Sequence, residues 1–405
     1  MNVPLKYPTA VNEAVDALEA LGFEIYIVGG CLRNVLMGKA PHDWDMTTSA
    51  LPQETAEIFR TLGHRVIETG LKHGTVTVII DGTPLEITTF RIDGSYSDSR
   101  HPDKVSFTRS LREDLIRRDF TVNAMAYSEK KGLIDLFDGK SDLKAGILRA
   151  VGDPEKRFSE DALRILRAFR FSSEHGFVLE ERTKEAVIKL RAGLVNISRE
   201  RICSELYRIL LGENASFALK EIIACGIMPY IFEEYDNSFE PDVSFINALP
   251  KSIAPRLGAV LLNFPQDKAE KALSSLKTGN EDKSNSKAVL QAVGELKCSP
   301  PQSIAEARRF VRRCGKNLQD ALSLAKFVLS DIAFTGKLFL QAQEEDFPKK
   351  PAELAIGGND IIALGASGKK TGEVLSFLLE RTTDDPTLNC KEELLRLARE
   401  FITEN

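Results

Sequence analysis

Hydrophobic positions recur at the spacing of an α-helix near the start of the chain. Between residues 9 and 22 the apolar side chains fall at Val11, Ala14, Val15, Leu18 and Leu21. This spacing places one apolar stripe along a helix. Short runs rich in β-branched residues follow at 24–28, 65–67, 75–80 and 85–90, separated by glycine, proline and aspartate. The pattern predicts a small α+β head that ends near residue 139.

Beyond the head the pattern changes to a helical period. Residues 161–171, 183–190, 199–211 and 305–313 alternate apolar and charged positions at helical spacing, and strand signals nearly vanish after residue 142. The polar stretch 277–287 predicts an exposed loop, and the run FPKKP at 347–351 predicts another break. The remainder of the chain is therefore predicted to be mostly helical, which makes the fold class α+β.

Composition narrows the protein class. The 405 residues are enough for two to four domains, and 54 basic against 59 acidic residues give a net charge of −5. That balance argues against a protein that coats nucleic acid by bulk charge, although local basic patches stay open. No apolar run is long enough for a membrane span or an export signal. Six cysteines are scattered without a C-x-x-C pair, so a cytoplasmic protein is predicted.

Two glycines stand where the first predicted strand meets a short helix. Gly29 and Gly30 follow the run EIYIV and precede CLRNVLMG. Such a turn lets backbone amides approach a ligand closely, and the helix N-terminus favours phosphate. A simple packing turn is the alternative when the pair is taken alone.

Three carboxylates are candidates for a metal site. Asp43 and Asp45 stand at i and i+2, which puts both on one face of an extended segment. Glu86, in the predicted strand PLEITTF, is the third candidate, because a neighbouring strand of the same sheet could carry it to the same edge. Oxygen ligands of this kind suit Mg²⁺ and phosphoryl or nucleotidyl transfer. Ordinary loop acids are the alternative for an isolated D-x-D.

The run GGCLRNVLMG followed by DWDMTTSA resembles the first motif of one family, the class II tRNA nucleotidyltransferases and poly(A) polymerases. This family is a branch of the polymerase β superfamily, and several later segments resemble its other motifs in the same order. Its carboxylate strand and flexible loop resemble EITTFRIDGSYSDSRHPDKVSF, and its ribose-reading segment resembles DLIRRDFTVNAMAY. Its base-reading helix resembles RFSEDALRILRAFRF, and its bracing helix resembles ISRERICSEL. Residues 352–380 are more weakly similar to the tail of bacterial CCA-adding enzymes.

The resemblance implies a seahorse-shaped protein with four parts. Residues 1–139 would form a nucleotidyltransferase head with a mixed sheet, and 140–211 a helical neck that reads the base. Residues 212–300 would form a helical body, and 301–405 a helical tail that binds tRNA.

The implied activity is the sequential addition of C, C and A to the tRNA 3′ end. CTP and ATP would be the substrates, no nucleic-acid template would be needed, and two Mg²⁺ ions would take part. Asp43 and Asp45 would hold the metal, with Glu86 as a further catalytic carboxylate. No membrane and no protein partner is predicted.

The resemblance also implies a set of nucleotide-binding residues. Besides Gly29, Gly30 and Arg33, it includes Arg117 and Arg118 as cations for the triphosphate. Asp119 and Asn123 would separate ribose from deoxyribose. Asn34 departs from the family, which usually has aspartate there, and this affects only the local bracing of Arg33. A basic surface turn is the alternative for residues 117–119 taken alone.

Asp161 and Arg164 are predicted to share one face of a helix, at i and i+3. The carboxylate can accept from the exocyclic amine of cytosine or adenine, while the guanidinium donates to the neighbouring ring atom or carbonyl. Uracil and guanine present a carbonyl instead, which leaves two acceptors face to face at a cost of about 1–3 kcal/mol. The resemblance implies that this pair serves as a protein template.

Arg167 and Arg170 continue the spacing of three. Arg170 lies about 13 Å along the helix axis from Asp161, so the four side chains cannot contact one base. Arg167 is predicted to reach the triphosphate or ribose, and Arg170 to be a brace or an RNA contact. An amphipathic helix with salt bridges along it is the alternative for the whole segment.

The loop 93–105, with Arg100 and His101, is linked in the resembling family to the switch from adding C to adding A. Its presence favours full CCA or terminal A addition. Candidate basic contacts to tRNA lie further along the chain: Arg199, Arg201, Arg308, Arg309, Arg312, Arg313, Lys349, Lys350, Lys369 and Lys370.

Three related or opposed functions remain as alternatives. An enzyme that adds only A after a separate CC-adding enzyme shares nearly all of the motifs. A bacterial poly(A) polymerase is disfavoured by the modest length and by the tail resemblance. A non-catalytic RNA-binding protein on a transferase scaffold would be expected to lose Asp43, Asp45 or Glu86, and this chain keeps all three.

Overall fold

The computed structural model describes residues 7–41, 43–94, 105–329 and 333–404. By its internal contacts the chain divides into two units, Met1–Asp236 with Ser275–Lys277 and Asn237–Ser274 with Thr278–Asn405. The four-part division expected from the sequence stays a prediction.

The strands lie in the first unit. In chain order they are β1 Ile25–Val28, β2 Trp44–Thr48, β3 Arg65–Ile67, β4 Thr75–Ile80, β5 Thr83–Thr89, β6 Arg91–Asp93, β7 Val105–Phe107, β8 Met125–Ser128, β9 Gly132–Asp135, β10 Ile147–Leu148 and β11 Val178–Leu179. The main sheet has the order β3-β4-β5-β2-β1-β8-β9. It is mixed, because β2 and β5 run parallel while the other neighbours are antiparallel. This confirms the predicted mixed sheet in the N-terminal part of the chain. Two small sheets pair β6 with β7 and β10 with β11.

Helices surround the sheet of the first unit and continue beyond it. They are α1 Thr9–Glu19, α2 Gly29–Leu36, α3 Pro52–Thr61, α4 Leu111–Ile116, α5 Gly139–Ala145, α6 Pro154–Glu160, α7 Leu163–His175, α8 Glu181–Leu190, α9 Arg199–Leu210, α10 Ala215–Ala224 and α11 Met228–Ile231. The helix α7 packs against both α9 and α10.

The second unit is helical throughout its described residues. Its helices are α12 Ile253–Leu261, α13 Gln266–Ser275, α14 Asn280–Cys298, α15 Ile304–Cys314, α16 Leu318–Val328, α17 Ala333–Glu344, α18 Gly358–Ala363, α19 Lys369–Asp384 and α20 Lys391–Glu404. The expectation of a mostly helical remainder is confirmed, as is the break at 347–351. In the described residues no helix combines the length and apolar character needed to cross a membrane.

The prediction of an exposed loop at 277–287 was wrong for most of its length, because α14 begins at Asn280. Glu281 and Asp282 lie in the first turn of the helix, where acidic side chains are stabilised by the helix dipole. The buried face of the helix begins with Ser286, followed by Val289. Because the first buried residue is the polar Ser286, the apolar residues alone do not show the helical period in this segment.

The core of the head lies on one side of the main sheet. The helices α1 and α3 bury Leu18 and Phe59 against it, and alternate residues of the strands fill the same cluster. In β1, Ile25 and Ile27 belong to this core, whereas Tyr26 and Val28 pack in a second cluster on the opposite face. Alternate side chains of a strand therefore point to opposite faces of the sheet, one towards this core and the other towards the second cluster.

Gly139, at the start of α5, tests how closely that helix packs on the segment that carries Asn123. A β-carbon at this position would lie 2.2 Å from the carbonyl oxygen of Thr121, a backbone atom that cannot rotate away. We expect Gly139→Ala to lower the free energy of unfolding by about 3 kcal/mol, because the two backbones must separate. Urea unfolding followed by the fluorescence of Trp44, the single tryptophan, measures this in the head. Lys140→Ala, at the exposed next residue, is the control, and equal stability of the two variants would contradict the packing argument.

His175, at the end of α7, gives a pH prediction. Its side chain is buried and both ring nitrogens lack a hydrogen-bond partner. Burial, with the nearby Arg33, lowers its pKa to about 3 from an ordinary 6.5. Between pH 6.5 and 3 the unfolded chain therefore binds a proton that the folded chain does not. Stability should fall with falling pH by up to about 1.4 kcal/mol per pH unit from this group.

The measurement is the free energy of unfolding of the wild type and of His175→Phe between pH 7 and 4, followed by circular dichroism. The variant should show the smaller dependence on pH, because its side chain cannot bind a proton in the unfolded state. Parallel curves would show that His175 does not remain neutral in the fold.

Candidate active site

Two carboxylates lie side by side on neighbouring parallel strands. Asp45 of β2 pairs in register with Glu86 of β5, and the residues on either side of each belong to the core of the head. Strand alternation therefore sends both carboxylates to the face opposite the core. Asp43 directly precedes β2, two residues before Asp45. The structure thus places Glu86 beside Asp45, as the sequence predicts for two strands of one sheet.

The surroundings of Asp45 favour its protonated form. Burial, and then the charges of Asp43 and Glu86, raise the pKa of Asp45 to about 6. A bound divalent cation would relieve this repulsion. Among the described residues no cluster of three or more histidine, cysteine, aspartate or glutamate side chains is arranged to hold a metal. Mg²⁺ does not need such a cluster, because it binds one or two carboxylates and completes its shell with water and substrate phosphates. Asp43 and Asp45 fit an ion of that kind.

The Gly29–Gly30 turn lies directly beside this acidic corner. Gly29 begins α2 with a φ of +72°, a backbone conformation that favours glycine. A β-carbon there would lie 3.3 Å from a carboxylate oxygen of Asp45 and 3.4 Å from a guanidinium nitrogen of Arg118. At Gly30 it would lie 3.7 Å from a guanidinium nitrogen of Arg33. The absence of side chains keeps the first turn of α2 open between an acid and two cations.

A buried carboxylate that the sequence analysis missed organises two of the predicted cations. Asp114 of α4 accepts hydrogen bonds from Nε and Nη2 of Arg117 at 3.0 and 2.7 Å, and from Nη2 of Arg118 at 3.2 Å. Thr47 of β2 donates to it as well. Burial alone would raise the pKa of Asp114, but Arg118 and Arg117 hold it below its ordinary value. An acid three and four residues before two arginines is a helical spacing that could have identified it.

The two residues expected at the ribose form one hydrogen-bonded chain with two arginines. Nη1 of Arg33 donates to Oδ1 of Asn123 at 2.6 Å, and Nδ2 of Asn123 donates to Oδ1 of Asp119 at 3.0 Å. Nε and Nη2 of Arg167 donate to Oδ2 of Asp119 at 2.9 and 2.6 Å. Burial would raise the pKa of Asp119, but Arg167 and Asn123 hold it well below its ordinary value. The carboxylate therefore stays charged although it is almost completely buried.

Asn34 retains a bracing contact on Arg33. Its Oδ1 accepts a hydrogen bond from Nη2 of Arg33 at 3.0 Å. An amide thus supplies the acceptor that an aspartate would supply, but it adds no negative charge. The guanidinium keeps its other end for Asn123.

The prediction that Asp161 and Arg164 share a helix face was wrong. The helix α6 ends at Glu160, Asp161 is extended with φ −143° and ψ 102°, and α7 begins only at Leu163. The reason is local: the Asp161 carboxylate accepts a hydrogen bond from the backbone N–H of Leu163 at 3.0 Å, and such a bond favours a turn over a continuous helix. Asp161 and Arg164 still line one cavity, because a turn between two helices also brings them together.

Both of these side chains already have protein partners. Asp161 accepts from Nη2 of Arg201 in α9 at 3.1 Å. Arg164 donates to Glu160 at 3.0 Å and to the carbonyl oxygens of Arg157 and Arg117, each at 3.1 Å. These contacts fix the two groups in the absence of a nucleotide.

Arg170 is held by a carboxylate of α9. Its Nη1 donates to both oxygens of Glu205 at 3.1 Å, and both side chains are buried. Burial and the charge of Arg167 lower the pKa of Arg170 to about 10. Of the two roles expected for Arg170, its surroundings fit the brace.

One cavity of about 690 Å³ brings the predicted site residues together. Its walls include all fourteen: Gly29, Gly30, Arg33, Asp43, Asp45, Glu86, Arg117, Arg118, Asp119, Asn123, Asp161, Arg164, Arg167 and Arg170. Arg201, predicted as a tRNA contact, and Asn34 also line it, and the sequence analysis missed four further wall residues: Leu163, Phe171, Glu174 and Arg208. Eight arginines and six carboxylates line the cavity. Positive charge therefore exceeds negative charge, which suits a polyanionic ligand.

The loop expected to control the change from C to A lies mostly outside the described residues, Arg100 and His101 included. The strands β6 and β7 on either side of it pair antiparallel, with Asp93 opposite Val105.

Comparison with protein families gives two matches. The poly A polymerase head domain matches residues 25–149. The probable RNA and SrmB-binding site of polymerase A matches residues 176–239. The first match contains Asp43, Asp45, Glu86, Asp119 and Asn123, and the second contains α9.

Similarity to individual proteins extends over nearly the whole chain. A CCA-adding enzyme from Lactiplantibacillus plantarum is 35% identical over 96% of this chain and 95% of its own length. One from Lactobacillus delbrueckii subsp. bulgaricus is 38% identical over 92% of each chain. Among solved structures, the Bacillus stearothermophilus CCA-adding enzyme in complex with CTP is 29% identical, with a TM-score of 0.78 over 98% of this chain and 99% of that one. The Thermotoga maritima CCA-adding enzyme complexed with tRNA shares the fold at 20% identity, with a TM-score of 0.69 over 98% of this chain and 97% of that one. The chain therefore belongs to the family of CCA-adding enzymes.

Proposed function

We propose that this chain is a tRNA nucleotidyltransferase that adds C, C and A in sequence to the 3′ end of tRNA from CTP and ATP. The observation that carries the proposal is the single cavity, which joins an acidic corner, a ribose-facing hydrogen-bonded chain and the charged side chains of Asp161 and Arg164. The CCA-adding relatives, 35–38% identical over nearly the full length, support the same reaction.

We propose Asp43, Asp45 and Glu86 as the catalytic carboxylates, and the first two as metal ligands. Nucleotidyltransferases of this family generally use a divalent metal. When bound, Mg²⁺ would activate the attacking hydroxyl and neutralise charge on the leaving pyrophosphate. Burial and the charges of Asp43 and Glu86 raise the pKa of Asp45 to about 6, so a bound cation would favour its ionised form.

The triphosphate is proposed to lie between the Gly29–Gly30 turn and the arginines of the 117–118 segment. Arg118 approaches Gly29 closely, so the open amides of α2 and a guanidinium can contact one anion together. Asp114 orients Arg117 and Arg118 without occupying all of their donors.

Asn123 is proposed to contact the ribose directly, with Asp119 behind it. Oδ1 of Asp119 accepts from Asn123 and from the backbone N–H of Phe120, and Oδ2 accepts two bonds from Arg167. Its acceptor sites are therefore filled. The Asn123 amide keeps one N–H and one lone pair beyond its bonds to Asp119 and Arg33, which suits a 2′-hydroxyl that both donates and accepts.

Asp161 and Arg164 are proposed to read the Watson–Crick edge of the incoming base. Their present partners, Arg201 and Glu160, hold the two side chains at the cavity wall. A base with an exocyclic amine can add a donor to Asp161, whereas a carbonyl in that place meets an acceptor. We therefore expect the protein to accept CTP and ATP and to reject UTP and GTP.

Contacts with tRNA are proposed for the exposed lysines of the predicted set rather than for its buried arginines. Arg199 donates to the carbonyl oxygens of Tyr230 and Ser275, and Arg308 donates to those of Thr383 and Asp384. Guanidinium groups engaged in this way support the protein's own backbone. Exposed side chains such as Lys369 are available for phosphate contacts. The cytoplasmic location stays a prediction.

The reaction is tested with three tRNAs that end before CCA, after C and after CC. Purified protein and Mg²⁺ receive CTP alone, ATP alone, or both. We expect two C additions followed by one A, and products are resolved by electrophoresis. Asp45→Asn, which keeps the shape but removes the charge of one proposed ligand, should lower the rate at least about 10³-fold. Addition of A only to the CC-ending tRNA would instead favour the A-adding enzyme, and long A tails on arbitrary RNA a poly(A) polymerase.

Base selection is tested with Asp161→Ala. We expect selection against UTP and GTP to fall about tenfold or more, because the acceptor that opposes their carbonyl is gone. The ratio of kcat/KM for CTP to that for UTP measures it. Glu174→Gln is the control, since Glu174 is a carboxylate of the same cavity that pairs with Arg208. Unchanged selection in Asp161→Ala would contradict the proposed role.

A further inference from the structure

Phe171 of α7 lies between three guanidinium groups. Its ring is 3% exposed, and the central guanidinium carbons of Arg170, Arg33 and Arg167 lie 4.4, 4.9 and 5.5 Å from the ring centroid. Among the described residues, each other ring with a cation over it has a single one. Phe171 is thus the point where three cations meet, of which Arg33 and Arg170 are buried and Arg167 is half-buried.

Two of these cations are the ends of the ribose-facing chain. Arg33 holds Asn123, and Arg167 holds Asp119, which in turn accepts from Asn123. The ring therefore links the two ends of this hydrogen-bonded chain, because both Arg33 and Arg167 lie over it. Arg33 belongs to α2 of the head and Arg167 to α7, so Phe171 also joins two separate helices at this point.

The three guanidinium groups repel one another, and the ring opposes that repulsion. Burial lowers the pKa of Arg33, and burial together with Arg167 lowers that of Arg170. The face of an aromatic ring carries partial negative charge and attracts a guanidinium group, most strongly where water is excluded. An aliphatic side chain of equal size would fill the space but would not offset this repulsion, so the hydrogen bonds of Arg33 and Arg167 would have to hold the cations together alone.

The orientation of the ring is itself fixed. Phe120, the residue after Asp119, meets it edge to face at 5.7 Å and 87°. His175 stacks on it at 6.2 Å and 13°. The ring can therefore hold Arg33 and Arg167 in one geometry rather than several.

We propose that Phe171 is a positioning residue for sugar selection. Its π face fixes Arg33 and Arg167, these fix Asn123 and Asp119, and the enzyme thereby prefers ribonucleotides to deoxyribonucleotides. This inference rests on the proposed nucleotidyl transfer and names what sets its sugar specificity.

The test replaces Phe171 by phenylalanine bearing one, two or three ring fluorines. Fluorine withdraws electron density from the ring face with little change of shape, so a role in packing alone is left nearly unchanged. The readout is the ratio of kcat/KM for CTP to that for dCTP in a single addition to tRNA ending before CCA. We expect the ratio to fall stepwise, by about tenfold with three fluorines, which corresponds to about 1.4 kcal/mol.

The same series at Phe169 is the matched control. Phe169 is fully buried in the same helix and does not line the cavity. Its variants should keep the wild-type ratio. Phe171→Tyr, which retains the ring, should keep most of the selectivity, whereas Phe171→Leu should lose it even if KM for CTP changes little.

The outcomes separate this inference from the function on which it rests. Failure of the unmodified protein to add C to tRNA would overturn the proposed function. An active protein whose CTP-to-dCTP ratio is the same across the fluorine series at 171 would overturn the positioning role alone. If Phe171→Leu does not fold, the fluorinated proteins and Phe171→Tyr still decide the question.

Discussion

The buried charge of Asp119 is the constraint on which the site depends. A carboxylate removed from water is costly unless it is paired and hydrogen-bonded. Here two donors of Arg167 and one of Asn123 satisfy it, together with the backbone N–H of Phe120. Because these partners come from different segments, satisfying one charge fixes the segment at 119–123 against α7. The Asn123 amide, proposed to contact the ribose, therefore has a defined position in the protein itself.

The same principle extends through the cavity. Asp114 with its two arginines, Arg170 with Glu205, and Asp161 with Arg201 are each closed ion pairs within the protein. Preorganised charges of this kind lose little freedom when a ligand binds. The acidic corner differs, since Asp45 lies beside two like charges. The arginines of these ion pairs are therefore balanced by carboxylates of the protein, whereas the carboxylates of the acidic corner are the ones that the proposed cation would balance.

Strand alternation made the position of the three acids predictable from the sequence. The turn at Asp161 and the surroundings of Phe171 depend on contacts that form only in the folded protein. Trp44 between Asp43 and Asp45 marks a strand with one core face, so the position of the acids followed from the sequence. The turn at Asp161 did not follow from the sequence, because the helical period continues on both sides of it. One side-chain hydrogen bond, from the backbone N–H of Leu163 to Asp161, favours the break between the helices. Asp114 could have been found from helical spacing. Phe171 could not, because in the sequence it is one apolar residue of an amphipathic helix, and its three cations come together only in the fold.

The net charge of −5 is compatible with a polyanionic substrate because charge is distributed unevenly. In the cavity, arginines outnumber carboxylates, and the carboxylates that are not paired with arginine lie at the acidic corner. An aspartate at position 34 would add a negative charge beside Arg33. Asn34 accepts a hydrogen bond from Arg33 without that charge, while another donor of the same guanidinium holds Asn123. Under the proposed function, this amide favours a bound triphosphate because it leaves the positive charge of Arg33 without a neighbouring negative charge at position 34.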